Sequence, residues 1–498
     1  MIEWISELSK DDRSRFGEKA ALLGELSKFG FPVPKGFAIP FSEYTEAFQN
    51  LESEINSALD SVDVNDVGTI TSASRRISKL FQNYRFSDSF KKDLQEFYSK
   101  LHIDKDSYGN VAASAFNFIR AGRDEPFVSI RVSTNSSTPK HFSTYLNVKR
   151  IVNIEPTIKK AWASIYSPYS ILYRKLKNAP FPSPAIVIQE MVAASKSGDA
   201  FSLNPLNGDN SQFIIQARWG LSLKNSPGAS IYICSKDESK IVESYENIPD
   251  TYYTNDPQSG VTALRTLEKE FKQIPLISER EINLLSKIVG DIESRVGFPV
   301  HIEWGIERRK FKLLQVTPIS HYFKSRPTIN FDNDQVKSSL NGLISNSGTI
   351  LNSTIKKINE NPEQGDLVYS ESFNGNLINS VIRSSGIIFE NEDLTSFGAT
   401  VARDFDKPCM VKTKISRINS EEPTTQPELE DEPEFSEDDL ERIRDLLSEL
   451  ENELIELNMR YSSERQSGKK VDNDKAKIVS DLEWQIREVR TKINQNQQ

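Results

Sequence analysis

Gly30-Phe31-Pro32-Val33-Pro34-Lys35-Gly36-Phe37-Ala38-Ile39 is the stretch on which the reading of this chain turns. A glycine followed by two closely spaced prolines ends a helix, because glycine accepts a left-handed cap and proline cannot continue the turn. The helix it ends is Ala20-Ala21-Leu22-Leu23-Gly24-Glu25-Leu26, and Gly36-Phe37-Ala38-Ile39 then reads as a short strand. Downstream, Val128-Ser129-Ile130-Arg131 alternates as a strand and runs into a loop of Ser, Thr and Asn. Further strands are expected at 185–189, 200–202 and 213–215, a helix at 278–296, and two strands at 300–305 and 311–316. A smaller α/β unit follows over 326–416, with strands at 386–389 and 409–411.

The 498 residues suggest about three domains. The apolar share is 37%, below the usual roughly 45–50%, and a polar C-terminal third accounts for part of the deficit. A net charge of −9 with no basic stripe argues against nucleic acid as a partner. Cys234 and Cys409 lie far apart, which gives neither a disulfide framework nor a metal cluster and fits a reducing cytosol. The N-terminal MIEWISELSKDDR is no secretory signal. No run reaches the ~18 apolar residues of a membrane span. A soluble, cytoplasmic protein with no membrane partner is expected.

From Glu421 to Glu441, 11 of 21 residues are acidic and three are proline, which reads as an extended linker, assigned to 417–435. Leu440, Ile443, Leu447, Leu450, Leu454, Leu457 and Tyr461 then alternate in 3,4 spacing. Ser436 and Asp439 form a capping-box-like start. A second helix carries Ile478, Leu482, Ile486, Val489 and Ile493 on one face. Residues 436–498 therefore read as a helical hairpin or a coiled coil, a place for a protein partner or for self-association.

Phe16-Gly17-Glu18-Lys19-Ala20-Ala21-Leu22, taken with residues 30–39, resembles the opening of the phosphoenolpyruvate synthase and pyruvate phosphate dikinase family, whose pattern is Gly-Gly-Lys-Gly-Ala-x-Leu. Ser129-Ile130-Arg131-Val132-Ser133, Thr144-Tyr145-Leu146-Asn147-Val148, Tyr173-Arg174 and the segment from Ser197 to Pro205 match in order. The resemblance covers residues 1 to about 320. It implies a two-lobed ATP-grasp module within an α/β and α+β multi-domain chain, with an N-terminal lobe over 1–185 and a C-terminal lobe over 186–325. It implies ATP and Mg²⁺ as cofactors. Lys19 would reach the phosphates as a mobile charge. Arg131 would hold them with its planar fork. Gln189, Glu190, Met191 and Val192 would form the adenine-binding hinge, and Glu303 and Gln315 would hold the metal.

Strand parity puts His301 and Glu303 on one face, with Gln315 and Thr317 on one face of the next strand. The family pattern at these four positions is Asp, Glu, Gln and Arg. Thr317 removes a fixed positive charge where phosphoryl transfer needs one. His301 could ligate metal as a neutral imidazole, or it is a half-buried strand histidine. Ser137-Thr138 replaces a Glu-Asp pair, and an Ala-Gly loop is shortened to Lys140-His141-Phe142-Ser143. Gly220-Leu221-Ser222-Leu223 lacks the carboxylate of Gly-Leu-Gly-Glu.

Leu394-Thr395-Ser396-Phe397-Gly398-Ala399-Thr400-Val401-Ala402-Arg403 resembles the swivelling phosphohistidine domain, whose pattern is Thr-Ser-His-Ala-Ala-x-x-Ala-Arg. Phe397 stands where the histidine would, and it has no nucleophilic atom. Thr395 and Ser396 offer hydroxyls, but no activating base is visible in the sequence. The family's large C-terminal barrel has no counterpart. The reading that joins these departures is a catalytically degenerate nucleotide sensor or scaffold. An ATP-dependent phosphotransferase of the pyruvate, water dikinase type, acting directly on an acceptor, is the alternative, favoured by the retained Lys19, Arg131, Glu303 and Gln315. An interaction protein that no longer binds nucleotide is the third.

Overall fold

The computed structural model describes residues 1–101, 125–135, 142–206, 208–223, 226, 229–237, 240–255, 261–319, 329–331, 340–346, 348–350, 355–357, 363, 365–373 and 378–415. The chain divides into two units, Met1–Ile418 and Asn419–Gln498. The acidic linker and heptad region expected over 417–498 lie outside the described residues, as do Ser137, Thr138, Lys140 and His141.

The first helix, α1 (Arg13–Lys28), is bent at Gly17, whose φ is 79°. Gly30 has φ 81°, the left-handed cap expected of it. Five strands make the first sheet: β1 (Glu3–Trp4), β2 (Gly36–Ile39), β3 (Val128–Ser133), β4 (Tyr145–Val148) and β5 (Ala185–Glu190), in the order β1-β2-β5-β3-β4. Helices α2 (Phe41–Asp60), α3 (Val67–Asn83), α4 (Asp88–Leu101), α5 (Ile151–Ala163) and α6 (Pro168–Lys177) accompany it. Their apolar stripes bury Tyr44, Phe81 and Trp162, and the connecting segments add Phe86 and Tyr166 to the same cluster. The Tyr44 and Tyr166 hydroxyls pair there at 2.9 Å, so each ring is buried without orphaning its polar tip. Helix α6 starts on Ser167, whose side chain accepts from the Ser170 amide, with Pro168 in its first turn.

The second sheet is antiparallel throughout. Its strands are β6 (Lys196–Phe201), β7 (Gln212–Trp219), β8 (Ser230–Ser235), β9 (Ile241–Tyr245), β12 (Val300–Glu307) and β13 (Lys310–Pro318), in the order β13-β12-β6-β7-β8-β9. A separate hairpin pairs β10 (Thr251–Asn255) with β11 (Thr262–Thr266). Helix α7 (Glu279–Val296) covers one face of the sheet. Its Ile282, Leu285, Val289 and Ile292 join Ala200, Ile215, Tyr232, Ile302 and Trp304 in a second core. Ser278 and Glu281 close a capping box, and Gly297 ends the helix with φ 80°.

The third region contains β14 (Ile329–Phe331), β15 (Leu340–Asn346), β16 (Gly348–Ile350), β17 (Ile355–Lys357), β18 (Leu367–Ser370), β19 (Gly386–Phe389) and β20 (Cys409–Ile415). Its five-stranded sheet runs β15-β20-β19-β18-β17 and carries helices α8 (Ile378–Arg383) and α9 (Phe397–Asp404). β17 to β20 are parallel to one another, while β15 is an antiparallel edge. Several strands run longer than the sequence suggests. β6 begins at Lys196 rather than near 200: polar Ser197 and Asp199 face the side of the sheet away from α7, while Lys196 faces α7 and pairs with its Glu281 at 2.9 Å. No helix among the described residues is long and apolar enough to cross a membrane.

Candidate functional site

The second sheet has one apolar face and one polar face. Register puts Gln315, Glu303, Asp199 and Gln216 side by side across β13, β12, β6 and β7. The next row is Thr317, His301 and Phe201, and Ser197 pairs with Arg218 on the other flank. Directly opposed residues share a face, so all these side chains lie on one side, away from α7. The expected neighbours Glu303 with Gln315, and His301 with Thr317, are thus brought together. A bulge follows between Glu303 and Trp304.

Arg131 reaches this face from the first sheet. Its NH1 donates to the Leu314 carbonyl at 3.0 Å and lies 3.5 Å from a Glu303 carboxylate oxygen. Its Nε is buried and has no hydrogen-bond partner among the described residues. The Glu303 side chain is 36% exposed, whereas Gln315 is buried. Lys19 begins the straight part of α1, beyond the Gly17 bend. That bend exists because the helix abuts the end of β3: a Cβ on Gly17 would stand 2.4 Å from Ser133 Oγ and 2.8 Å from the Thr134 nitrogen. The Ala20 amide donates to Ser133 Oγ at 3.3 Å, which locks the helix start two residues from Arg131 along β3.

Residues 30–35 tie these parts together. The Leu313 amide donates to the Pro32 carbonyl at 3.0 Å, and the Glu190 amide donates to Lys35 at 2.8 Å. The Met191 amide donates to Phe127 at 2.8 Å. The Gln189 side chain is buried and reaches the Pro34 carbonyl at 3.4 Å. Within the expected hinge, then, the Gln189 side chain is structural, and the Glu190 and Met191 amides are not donors that a base would meet. Val192, Leu221 and Ala194 form a small buried apolar cluster with Met191, Leu223 and Leu314 packed on it.

His301 is buried, stacked on Phe201 at 4.6 Å, with Nε2 2.8 Å from Asp199 Oδ1 and Nδ1 3.3 Å from the Thr317 hydroxyl. Both ring nitrogens are thus engaged, the arrangement of a strand histidine held in place.

The β6/β7 side of the face is covered by residues 393–396. Thr395 Oγ1 lies 3.1 Å from Asp199 Oδ2 and 3.1 Å from Asp393 Oδ1, and it accepts from Gln216 Nε2 at 2.9 Å. The Leu394 amide donates to Gln216 Oε1 at 2.9 Å. Asp393 pairs with Arg218 at 2.7 Å and accepts from the Ala229 amide at 3.3 Å. Burial works to raise the Asp393 carboxyl, but Arg218, Lys412, the Ala229 amide and the Thr395 hydroxyl together hold it below the ordinary carboxylate range. The fold brings two carboxylates to Thr395, Asp393 from two residues upstream in the same loop and Asp199 from the distant strand β6. One hydroxyl proton can serve only one of them, so Thr395 is held as a contact between layers. Asp199, Gln216, Arg218 and Asp393 are the site residues that sequence reading misses. For the first three the one signal is a polar residue inside an apolar strand; Asp393 lies in the loop before α9.

Phe397 opens α9, behind the N-cap Ser396. Its ring packs edge-on against Tyr169 of α6 and against Phe373, each at 5.2 Å. Nearby, the Tyr169 hydroxyl donates to Asp404, and Lys177 pairs with Asp406 at 3.0 Å. Burial among these rings raises Asp404 to about 7, against the opposing pulls of the Tyr169 hydroxyl, Arg403 and Lys177. The folded state therefore holds this proton more tightly than the unfolded chain. The resulting stabilisation is complete below about pH 4 and lost as pH rises through 7. In urea unfolding from pH 5 to 8, wild type is expected to lose up to ~1.4 kcal/mol per pH unit relative to Asp404→Asn. Parallel pH curves for the two proteins would refute this.

Residues 13–338 match the family described as "Pyruvate phosphate dikinase, AMP/ATP-binding domain". The "Probable phosphoenolpyruvate synthase" of Methanocaldococcus jannaschii is 27% identical over 414 residues, covering 79% of this chain and 33% of that protein. That of Methanothermobacter thermautotrophicus is 27% identical, covering 83% of this chain and 60% of its own. The "Phosphoenolpyruvate synthase" of Pyrococcus furiosus is 24% identical, covering 83% and 56%. The chain thus spans between a third and three fifths of the length of these relatives. The D-alanine–D-alanine ligase of Helicobacter pylori superposes over 42% of this chain and 46% of its own at 12% identity and a TM-score of 0.18, too slight a likeness to bear on the fold. With more than half of its length matched, the chain belongs to the family of the pyruvate phosphate dikinase AMP/ATP-binding domain.

Proposed function

We propose that this protein binds adenine nucleotide in an ATP-grasp module between its two sheets and uses it as a signal or scaffold element, without a phosphohistidine relay. The observation that carries the reading is Arg131: a largely enclosed guanidinium, half satisfied by Leu314 and Glu303, with a buried Nε that has no hydrogen-bond partner among the described residues. Buried donors are rarely left unpaired, and a phosphate oxygen is the acceptor a guanidinium fork fits. Lys19 would add a second charge from the start of α1, and Met191, Val192, Leu221 and Leu314 an apolar wall for the base.

Mg²⁺ fits the donors. Glu303 and Gln315 supply one carboxylate and one amide, hard oxygens suited to an ion that takes its other ligands from phosphates and water. Among the described residues no cluster of three or more His, Cys, Asp or Glu stands ready to hold a metal, which supports an ion brought in with the nucleotide. Phe397 cannot accept a phosphoryl group. Residues 326–416 would act as a degenerate swivel domain, and 436–498 as a docking segment for a partner or a second copy. The partly exposed Glu303 carboxylate favours a second reading, direct transfer to an external acceptor. ATP turnover that disappears in Glu303→Ala would support it.

A ligand that binds only the folded state must stabilise it, by ~2.7 kcal/mol at a hundred times its dissociation constant. Thermal unfolding of the full chain is expected to shift upward with millimolar Mg-ATP, and Phe397-containing peptides are expected to carry no acid-labile phosphate. The absence of any shift at millimolar ATP would sink the proposal.

A further inference from the structure

Residues 340–415 touch both halves of the nucleotide-binding region at two separate places. One attachment is aromatic and lies on the first lobe. Phe397 sits edge-on to Tyr169 at 5.2 Å, and Phe405 lies 6.3 Å from Tyr169 and 5.8 Å from Tyr173, all on α6. Lys177 of the same helix pairs with Asp406. The other attachment is polar and lies on the second lobe. Asp393 grips Arg218 and the Ala229 amide, while Thr395 and the Leu394 amide grip Asp199 and Gln216. Asp393, Leu394, Thr395 and Phe397 lie within five residues of one another, and Ser396 stiffens the run by accepting from the Ala399 amide and donating to the Asp393 carbonyl.

We infer that this segment is a clamp that fixes the angle between the two lobes, with Phe397 as its anchor on the first lobe and Asp393–Thr395 as its anchor on the second. The logic is geometric. The lobes also meet directly, at Leu313 to Pro32 and at Arg131 to Glu303, and a short rigid bridge that grips both adds to their resistance to hinging. The polar anchor is buried and directional, so it sets register. The aromatic anchor packs rings from both sides and so excludes water, with the Tyr169 hydroxyl on Asp404 and Lys177 on Asp406 as its polar contacts. A histidine in place of Phe397 would present a polar ring to Tyr169 and Phe373. The phenylalanine thus has a positive use here, beyond the loss of a nucleophile. The clamp needs no nucleotide, so it stands or falls independently of ATP binding.

Double electron–electron resonance on the full chain without nucleotide tests it. Spin labels at Val152→Cys on α5 and Leu284→Cys on α7 report the lobes, since both positions are exposed while Cys234 and Cys409 are buried. Wild type is expected to give one narrow distance. Phe397→Ala removes two ring contacts and should raise the open fraction about 10–100-fold, seen as a second, longer distance. Tyr173→Ala, at a half-buried ring touching Phe405, should move the same way by a smaller factor, and it keeps the test usable if Phe397→Ala does not fold. A broad wild-type distribution, or narrow unchanged distances in both variants, overturns the inference.

Discussion

Asp393→Ala is expected to lower the unfolding free energy by about 3–5 kcal/mol, the range for removing one partner of a buried ion pair. Its side chain is 4% exposed and the side chain of its partner Arg218 10%. Arg218 already has a buried Nε without a hydrogen-bond partner among the described residues, so the lost Asp393 contact leaves it further from satisfied. The Ala229 amide and the Thr395 amide, which donates to Asp393 at 3.1 Å, lose an acceptor as well. The urea midpoint should fall. The double variant Asp393→Leu with Arg218→Met should recover most of the loss, because an apolar pair leaves no charge uncompensated. A single-variant loss under about 1 kcal/mol would place this pair among weak surface contacts instead. The lowered Asp393 carboxyl also sets a sign: its contribution is present above about pH 4 and fades as the solution is acidified through its depressed value.

Arg131→Ala is expected to weaken Mg-ATP binding about 100-fold, the worth of two charge-assisted hydrogen bonds. Arg131→Lys keeps the charge but not the fork, and about a tenfold loss is expected. The two should separate cleanly in a titration followed by calorimetry. Arg131→Ala also frees the Leu314 carbonyl and the Glu303 carboxylate, so folded content must be checked by circular dichroism beside each titration. Equal affinity in wild type and Arg131→Ala would mean that the orphaned Nε has another explanation.

How far the sequence carries depends on how local each feature is. Gly30, the two prolines and the 36–39 strand are local, and they emerge as read. The face shared by Glu303, Gln315, His301 and Thr317 follows from the period of two in paired strands, and register bears it out. The role of His301 was not legible, because its partner Asp199 lies 102 residues away and only the β6–β12 pairing joins them. The same holds for Thr395, whose neighbours Asp199 and Gln216 come from strands nearly two hundred residues upstream. The backbone and side-chain bonding of the proposed hinge was not legible. Nothing in Gln189-Glu190-Met191 announces that two amides and one side chain bond to Lys35, Phe127 and Pro34. Helices α2 to α4 escaped for a different reason: they carry no motif, and only their buried stripes reveal them. The exposed edge strand β9 shows no alternation at all.

The most direct measurement is a calorimetric titration of the full chain with ATP, with and without Mg²⁺, beside Lys19→Ala. The account predicts saturable one-site binding by wild type, strengthened by Mg²⁺ and weakened about tenfold or more in Lys19→Ala, as expected for a lost charge on phosphate. Heat no greater than dilution at millimolar ATP, or identical isotherms for both proteins, would contradict it.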